Sequence, residues 1–345
     1  MSPNLGTAAS VFFFGQMYVE KLQPLHQSQR YPLIFVPGAG QTSTNFLNTP
    51  DGRQGWASYF LEKGFTVYLV DPPQRGRSAY VQGFETGTVG GIPVTAIQQV
   101  FTAPEKFSNL SSSYPQASLH TQWPGTGLQG DPIFDQFYAS QVQLQRDPEI
   151  SDRLVKPALN ALIDKVGPCV LFAHSQAGPY AWVAGDSRPE LVKGIVAIEP
   201  EGPPFVQLPG LSGKARIDGV TRLPLRYNPP VVNITRDLRL VELPPPKGKE
   251  DLYVTCTVQA SPPRKLVNLS KVPVALVTGE ASYHAPYDWC FIEYFKQTGV
   301  KATWLDLGRL GVKGNGHFCF LEKNNMESAR LVLGWIMKNV NRGPK

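Results

Sequence analysis

The chain alternates between short apolar runs and segments with helical periodicity. Residues 31–36, 65–71, 168–173, 194–198 and 272–277 are almost continuously apolar. Such runs are typical of strands that are buried on both faces of a sheet. Helix-like segments separate several of these runs, and prolines or glycines end several of them. The alternation predicts an α/β fold with a mostly parallel central sheet flanked by helices.

The other elements follow from the same pattern. Residues 11–22 are rich in β-branched and aromatic side chains and predict one or two edge strands. A last strand is predicted from residue 302 to 307. Helices are predicted at 56–63, 154–166, 178–184, 289–297 and 325–341.

Two segments interrupt the alternation. Residues 78–145 are dominated by Gly, Pro, Ser and Gln, and they carry scattered aromatic side chains: Phe84, Phe101, Phe107 and Trp123. Residues 202–271 are rich in proline, although 223–243 keeps alternating apolar positions. We interpret the first as a lid or pocket wall, with a plain surface excursion as the alternative, and the second as a further cap segment. Both would be insertions in a single domain spanning 1–345.

Composition narrows the class of protein. Hydrophobic residues make up 42% of the 345 positions and aromatic residues 11%, which is enough apolar surface for a folded core. The net charge is +6, but lysines and arginines are scattered singly, which argues against nucleic-acid binding. No segment approaches the ~18 apolar residues of a membrane span. The oligomeric state is left open, with a homodimer as one option.

The cellular compartment is less constrained. The N-terminal residues lack the pattern of a secretory signal, which favours the cytoplasm. Three N-x-S/T sequons, at Asn109, Asn233 and Asn268, would suit a secreted protein instead. The four cysteines fit no zinc-binding spacing, so no metal is expected. Cys256 and Cys290 are a candidate disulfide, and the sequence leaves their pairing open.

The segment 172–178 carries the strongest chemical signal. A buried strand turns at once into a helix there, with Ser175 at the turn and the small residues Ala173 and Ala177 two positions to each side. A tight strand-to-helix turn needs small neighbours, and it presents a nucleophilic serine at the carboxyl edge of the sheet. The alternative is an ordinary helix-capping serine.

A nucleophilic serine needs a histidine base and an acid that orients it. Of the five histidines, His317 lies in a glycine-flanked loop after the last predicted strand, which fits the chain order nucleophile, acid, histidine. His174 is expected to line the site rather than act as the base. Glu199 and Glu280 each follow a predicted strand and are the two candidates for the acid, while Glu201 is expected to be solvated.

Acyl transfer also needs hydrogen-bond donors for the oxyanion. The backbone N–H of Gln176, directly after the serine, is one candidate. The second is the N–H of Ala39, in the glycine-rich turn after the first buried strand. That turn lacks the spacing of a phosphate-binding loop, so no nucleotide cofactor is expected.

Several strings resemble the bacterial Ser/His/Glu esterases of the α/β-hydrolase superfamily and their fungal relatives. They are GQMYVEKLQP, TPDGRQGWASYFLEKGFTVYLVD followed by RGRS, SYPQASLHTQWP, FAHSQAGPY, IVAIEP and GVKGNGHF. Together they cover about half of the chain. The resemblance implies Ser175 as nucleophile, His317 as base and Glu199 as acid, which favours Glu199 over Glu280. It also implies Ala39 and Gln176 as oxyanion donors.

The chain departs from the family in two places. The oxyanion strand of the family can end in His-Gly and two adjacent cysteines, but this chain has Pro37-Gly-Ala-Gly, so no vicinal disulfide can stiffen that turn. The segment 202–271 is also longer than in the bacterial members. Pocket shape and substrate therefore do not carry over from the resemblance.

Hydrolysis of a carboxylic ester or lactone through an acyl-enzyme is the leading hypothesis, and it requires no metal or organic cofactor. The two insertions favour a bulky apolar substrate. The same fold also serves thioester cleavage, C–C bond cleavage and non-hydrolytic steps of secondary metabolism. A ligand-binding protein without turnover is the alternative from a different class.

Overall fold

The computed structural model describes residues 13–80, 87–110, 114–208 and 214–340. Within them the strands are β1 (Tyr18–Leu22), β2 (Leu33–Val36), β3 (Val67–Asp71), β4 (Val89–Gly90), β5 (Leu144–Gln145), β6 (Cys169–His174), β7 (Val192–Ile198), β8 (Tyr227–Asn228), β9 (Leu240–Leu243), β10 (Cys256–Gln259), β11 (Lys265–Leu266), β12 (Val274–Thr278) and β13 (Ala302–Asp306). The α-helices are α1 (Trp56–Glu62), α2 (Val94–Ile97), α3 (Pro132–Ala139), α4 (Pro148–Val166), α5 (Ala177–Ser187), α6 (Ile234–Asp237), α7 (Trp289–Thr298) and α8 (Asn325–Asn339).

Seven strands form the central sheet, in the order β1-β3-β2-β6-β7-β12-β13. β1 runs antiparallel to β3, and all other neighbouring pairs are parallel. The mostly parallel sheet predicted from the sequence is thereby confirmed. The chain first builds outward from β2 to β3 and then returns to build the other half from β6. Sites of open α/β sheets lie at such a reversal, beyond the carboxyl ends of the strands.

The strands of the sheet are buried on both faces. Successive side chains of a strand point to opposite sides, so Ile34 and Leu171 enter one hydrophobic core while Phe35 and Phe172 enter the other. All four side chains have no exposed surface. The rings of Phe35 and Phe172 stack with centroids 4.4 Å apart. This double burial explains why the strands read as continuous apolar runs.

Two predicted boundaries were wrong. The helix predicted at 154–166 begins at Pro148, because the Asp147 carboxylate caps it by accepting from the Glu149 N–H at 2.9 Å. Proline suits the first helical turn, where its missing N–H has no partner to lose. The edge strand predicted at 11–22 is confined to Tyr18–Leu22 within the described residues.

Within the described residues, the segments 78–145 and 202–271 contain short elements. The first holds α2, α3, the β4–β5 ladder and a π-helical turn at Gln98–Thr102, while Phe84 lies outside the described residues. The second holds the β8–β11 and β9–β10 ladders. A disulfide between Cys256 and Cys290 ties β10 to α7.

None of the helices in the described ranges combines the length and the apolar character that a membrane crossing demands.

Candidate active site

Ser175 occupies the sharp turn between β6 and α5. Its φ of 53° lies in the left-handed region, which is strained for a residue with a side chain. Backbone hydrogen bonds hold this strain on both sides: the Ser175 N–H donates to the Ile198 carbonyl at 3.0 Å, and the Glu201 N–H donates to the Ser175 carbonyl at 2.8 Å. The side chain is half-buried, whereas His174 and Gln176 are buried. The serine is thus the residue of this turn that remains accessible.

Small residues make the turn possible, as the sequence pattern indicated. Ala173 and Ala177 are completely buried. A Cβ on Gly178 would lie 2.4 Å from the Pro200 Cβ, so helix α5 can approach the strand end of β7 only with glycine there. A Cβ on Gly38 would lie 2.9 Å from the Ser175 Cβ. The turn after β2 therefore packs directly against the serine.

Glu199 directly follows β7 and is completely buried. Three donors converge on its carboxylate. The Gly279 N–H donates to Oε1 at 2.7 Å, and the Ser282 hydroxyl donates to Oε2 at 2.6 Å. The Nδ1 of His317 lies 2.6 Å from the same Oε2. This geometry fixes the carboxylate and orients the imidazole.

His317 is held by its backbone and by stacked rings. Its carbonyl accepts from the Nε2 of His174 at 3.2 Å. Phe101 of the first insertion stacks on the imidazole with centroids 4.9 Å apart, and His284 stacks at 5.2 Å. Only 2% of His317 is exposed. The histidine therefore has little freedom to turn away from Glu199.

The structure does not bring Glu280 to His317. Its carboxylate accepts from the Lys313 ammonium at 2.8 Å and from the Gly314 N–H at 2.9 Å. Its side chain is 21% exposed. Glu280 therefore tethers the beginning of the loop whose end carries His317, while Glu199 contacts the imidazole itself.

Burial shifts the pKa values of Glu199 and His317. It raises the pKa of the Glu199 carboxyl to about 8, although the neighbouring His284 acts in the opposite direction. Burial also lowers the pKa of the His317 imidazole well below its usual value, and the nearby His174 and His284 add to the shift. A neutral imidazole that carries its proton on Nδ1, beside an ionised carboxylate, has Nε2 free to accept a proton.

The two predicted oxyanion donors, the backbone N–H groups of Ala39 and Gln176, lie in the turns that follow the adjacent strands β2 and β6. Ala39 follows β2 and is half-buried, like Ser175, whereas its neighbours Gly38 and Gly40 are buried. Gln176 follows the serine itself. Among the hydrogen bonds of the described residues, neither the Ala39 N–H nor the Gln176 N–H has a protein acceptor. Neither N–H is therefore engaged by a protein acceptor within the described residues.

Known proteins share sequence and fold with this chain. No family model matches the chain. A solved structure described as a novel bacterial esterase superposes with a TM-score of 0.61 at 22% sequence identity, over 95% of this chain and 86% of that one. A fungal protein described as "Probable secreted lipase phiG", from Fungal sp. (strain ATCC 74256), is 49% identical over 322 residues, 93% of this chain and 86% of its own length.

The chain belongs to the esterases and lipases of the α/β-hydrolase superfamily. Its seven-stranded sheet and the superposition on the bacterial esterase show the fold. The enzyme is thus a carboxylic ester hydrolase by family.

The sequence analysis did not predict a second buried pair of a histidine and a carboxylate, formed by His284 and Asp288. His284 Nδ1 lies 3.0 Å from Asp288 Oδ1, and Asp288 Oδ2 accepts from the Thr278 hydroxyl at 2.7 Å. Both members of the pair are completely buried. Their spacing of four residues is the signal that could have paired them, since it places two side chains on one face of a helical turn.

The site also contains a possible metal-ligand set. Glu199, His284 and His317 each offer a ligand atom, and these atoms lie within 4.8 Å of one another. A metal ion there would compete with the Glu199–His317 hydrogen bond. The buried Nε2 of His284 has no hydrogen-bond partner among the described residues.

Glu201 differs from its expected solvated state. Its carboxylate accepts from the Arg216 guanidinium at 2.8 Å and also binds Arg222, both from the second insertion. The side chain is 20% exposed. Arg222 reaches Asp152 of α4 as well, at 3.2 Å. Glu201 therefore binds two arginines of the second insertion and is not a free surface carboxylate, while Arg222 links that insertion to α4.

Proposed function

We propose that the hydrolase cleaves a carboxylic ester or lactone through an acyl-enzyme formed on Ser175. The observation that carries the proposal is the 2.6 Å contact between Glu199 Oε2 and His317 Nδ1, directly beside a strained serine turn. The contact keeps the proton on Nδ1 and leaves Nε2 as the base. His317 takes the Ser175 proton as the oxygen attacks the carbonyl carbon, and it returns the proton to the leaving alcohol.

The second half of the cycle uses the same groups. Water attacks the acyl-enzyme while His317 accepts its proton, and Ser175 leaves as the protonated alcohol. The N–H groups of Ala39 and Gln176 stabilise the oxyanion in both steps. Glu199 stabilises the imidazolium that forms transiently in each step.

A bulky apolar acyl or alcohol group suits the surroundings of the site. Phe101, Tyr283 and Phe318 all have ring centroids within 5.1 Å of the His317 ring. Phe101 comes from the first insertion, which supports its role as lid or pocket wall of a single domain. The fungal relative is described as a probable secreted lipase, and this description also supports an acyl ester as the substrate.

Labelling with a fluorophosphonate probe tests the mechanism. Wild type is expected to label and to hydrolyse p-nitrophenyl esters, with and without EDTA, while Ser175→Ala does neither. Ser118→Ala, at an exposed serine, is the matched control and is expected to behave as wild type. Lack of labelling in the wild type would favour a ligand-binding protein. Labelling without ester turnover would favour thioester or C–C bond chemistry.

We also propose that the hydrolase is exported, in competition with the cytoplasmic location that the sequence favoured. The Cys256–Cys290 disulfide suits an oxidising compartment, and the fungal relative is described as secreted. Asn233 is exposed, whereas Asn268 is only 9% exposed and its amide donates to the Asp186 carbonyl at 2.9 Å. Expression in a eukaryotic secretion host is expected to give a glycan that Asn233→Gln removes and Asn268→Gln does not.

A further inference from the structure

Arg75 is a buried cation beneath the serine turn. It follows β3 in the Arg-Gly-Arg-Ser string, and 1% of its surface is exposed. Its Nη1 donates to the Gly38 carbonyl at 2.7 Å, and its Nη2 donates to the Gln176 Oε1 at 2.5 Å. One planar guanidinium therefore bridges the turn after β2 and the turn after β6.

The two acceptors belong to the two halves of the proposed oxyanion hole. The Gly38 carbonyl and the Ala39 N–H are parts of one peptide group. A hydrogen bond from a cation to that carbonyl polarises the group and makes the N–H a stronger donor. The Gln176 side chain is held by the other arm, which fixes the residue whose own N–H is the second donor.

The charge of Arg75 is not cancelled by a bonded carboxylate. The Gly38 carbonyl and the Gln176 side-chain amide are neutral, a side-chain hydrogen bond with Tyr180 adds a further neutral partner, and no salt bridge involves Arg75 in the described part of the chain. The nearby Asp71 is engaged by Arg77 at 2.8 Å. A buried positive charge next to a site where negative charge develops stabilises the transition state more than it would in water.

We propose that Arg75 is a positioning residue that sets the distance between the Ala39 and Gln176 N–H groups and strengthens them as oxyanion donors. The inference rests on the acyl-enzyme mechanism proposed above. The guanidinium also supplies a cross-link to a turn that has no adjacent cysteines to stiffen it. Lysine cannot replace it, because an ammonium lacks the planar fork that reaches both acceptors.

Arg77, two residues further on, is the matched control. Its guanidinium bonds Asp71 at 2.8 Å and Glu20 at 2.7 Å, and its side chain is 32% exposed. The two arginines thus share a motif, but only Arg75 contacts the serine turn. Comparing Arg75→Lys with Arg77→Lys separates the bridge from the general effect of altering an arginine in this loop.

The experiment measures hydrolysis of p-nitrophenyl butyrate and inhibition by an alkyl trifluoromethyl ketone, which forms an oxyanion when a serine adds to it. Arg75→Lys is expected to lower kcat by about 10²-fold, as loss of an oxyanion donor does, with KM changed by less than about twofold. Inhibitor affinity should fall in parallel. Arg77→Lys should leave kcat and inhibitor affinity unchanged.

Gln176→Met provides a second variant if Arg75→Lys does not fold. The substitution removes the side-chain oxygen that accepts from Arg75 Nη2 and keeps the backbone N–H of residue 176. We expect both kcat and inhibitor affinity to fall by about tenfold. Unchanged kcat and inhibitor affinity in a folded variant would overturn the role of Arg75 alone. A loss confined to KM or to thermal stability would do the same. A wild type that neither labels with fluorophosphonate nor hydrolyses esters would overturn the mechanism, and the assignment of Arg75 with it.

Discussion

His120 Nε2 lies 3.0 Å from Glu322 Oε1, although 202 residues separate them in the chain. The other ring nitrogen of His120 lies 2.9 Å from Glu105. Glu322 in turn accepts from the Gly316 N–H at 2.9 Å and from the Asn315 amide at 2.8 Å. A histidine of the first insertion thus holds, through one carboxylate, the residues that immediately precede His317.

The pH dependence of the free energy of unfolding tests the contacts of His120 with Glu105 and Glu322. Burial opposes a charge on His120, but its hydrogen bonds to Glu105 and Glu322 prevail and raise the pKa of the imidazole to about 9, above the ordinary 6.5. The unfolded chain loses this proton first as pH rises. The stabilisation is therefore complete below about pH 6.5 and is lost by about pH 9, a change on the order of 3 kcal/mol.

The free energy of unfolding of the wild type is expected to decrease between about pH 6.5 and about pH 9, and His120→Gln is expected to abolish most of this decrease. Urea denaturation at several pH values between about 6 and 9 measures it. His26→Gln, at an exposed histidine, is the control and should keep the wild-type slope. An identical slope in His120→Gln would show that the histidine is not charged in the folded protein.

The two candidate acids differ in what they touch. Glu199→Gln removes the acceptor of the His317 Nδ1 proton, so we expect kcat to fall by about 10³- to 10⁴-fold, as in triads that lose the correct tautomer. Glu280→Gln alters a tether to Lys313 and Gly314 and is expected to cost less than about tenfold. Steady-state kinetics on a p-nitrophenyl ester compare them. The reverse order of losses would make Glu280 the acid.

The pH profile of hydrolysis tests the protonation of the Glu199–His317 pair. The competent form holds a single proton, on Nδ1, beside an ionised carboxylate. Because burial raises the pKa of Glu199 to about 8, its carboxylate is neutralised as pH falls below that value. We expect kcat/KM for a neutral ester to rise with pH through about 8. The residual activity of Glu199→Gln should lack this rise of kcat/KM with pH. If the rise persists in the variant, a group other than Glu199 titrates.

The strands and the serine turn could be predicted because their signals are local. Continuous apolar runs follow from burial of both faces, and the small residues around Ser175 follow from the tightness of one turn. The contact of Glu199 with His317 could only be proposed, from chain order and resemblance. Glu199 and Glu280 follow the adjacent strands β7 and β12, and only the three-dimensional course of the 307–317 loop decides which of them meets the imidazole.

Contacts made by the insertions were beyond sequence reasoning. Phe101 on His317, and His120 on Glu322, join segments more than 200 residues apart through single side chains that no periodic pattern marks. The same holds for Arg75, whose partners are a carbonyl and a side-chain amide from two other turns. Such positions are specified by packing of the whole domain and not by the local sequence.

The Cys256–Cys290 disulfide closes a loop across the second insertion, with a sequence separation of 34. Cross-linking restricts the unfolded chain, so the double variant Cys256→Ser, Cys290→Ser is expected to lose about 4 kcal/mol in the free energy of unfolding. Alkylation of the denatured, unreduced wild type, read by mass spectrometry, should modify the two remaining cysteines, Cys169 and Cys319. Prior reduction should raise the number of modified cysteines to the full four of the sequence.

The matched control for the double variant is Cys319→Ser, which removes a buried thiol without opening the loop. In this variant, reduction should add only Cys256 and Cys290 to the set of alkylated cysteines. Four modified cysteines in the unreduced wild type, from protein isolated without reductant, would contradict the disulfide. That result would also remove one of the supports for export, because thiols that stay reduced are typical of the cytoplasm.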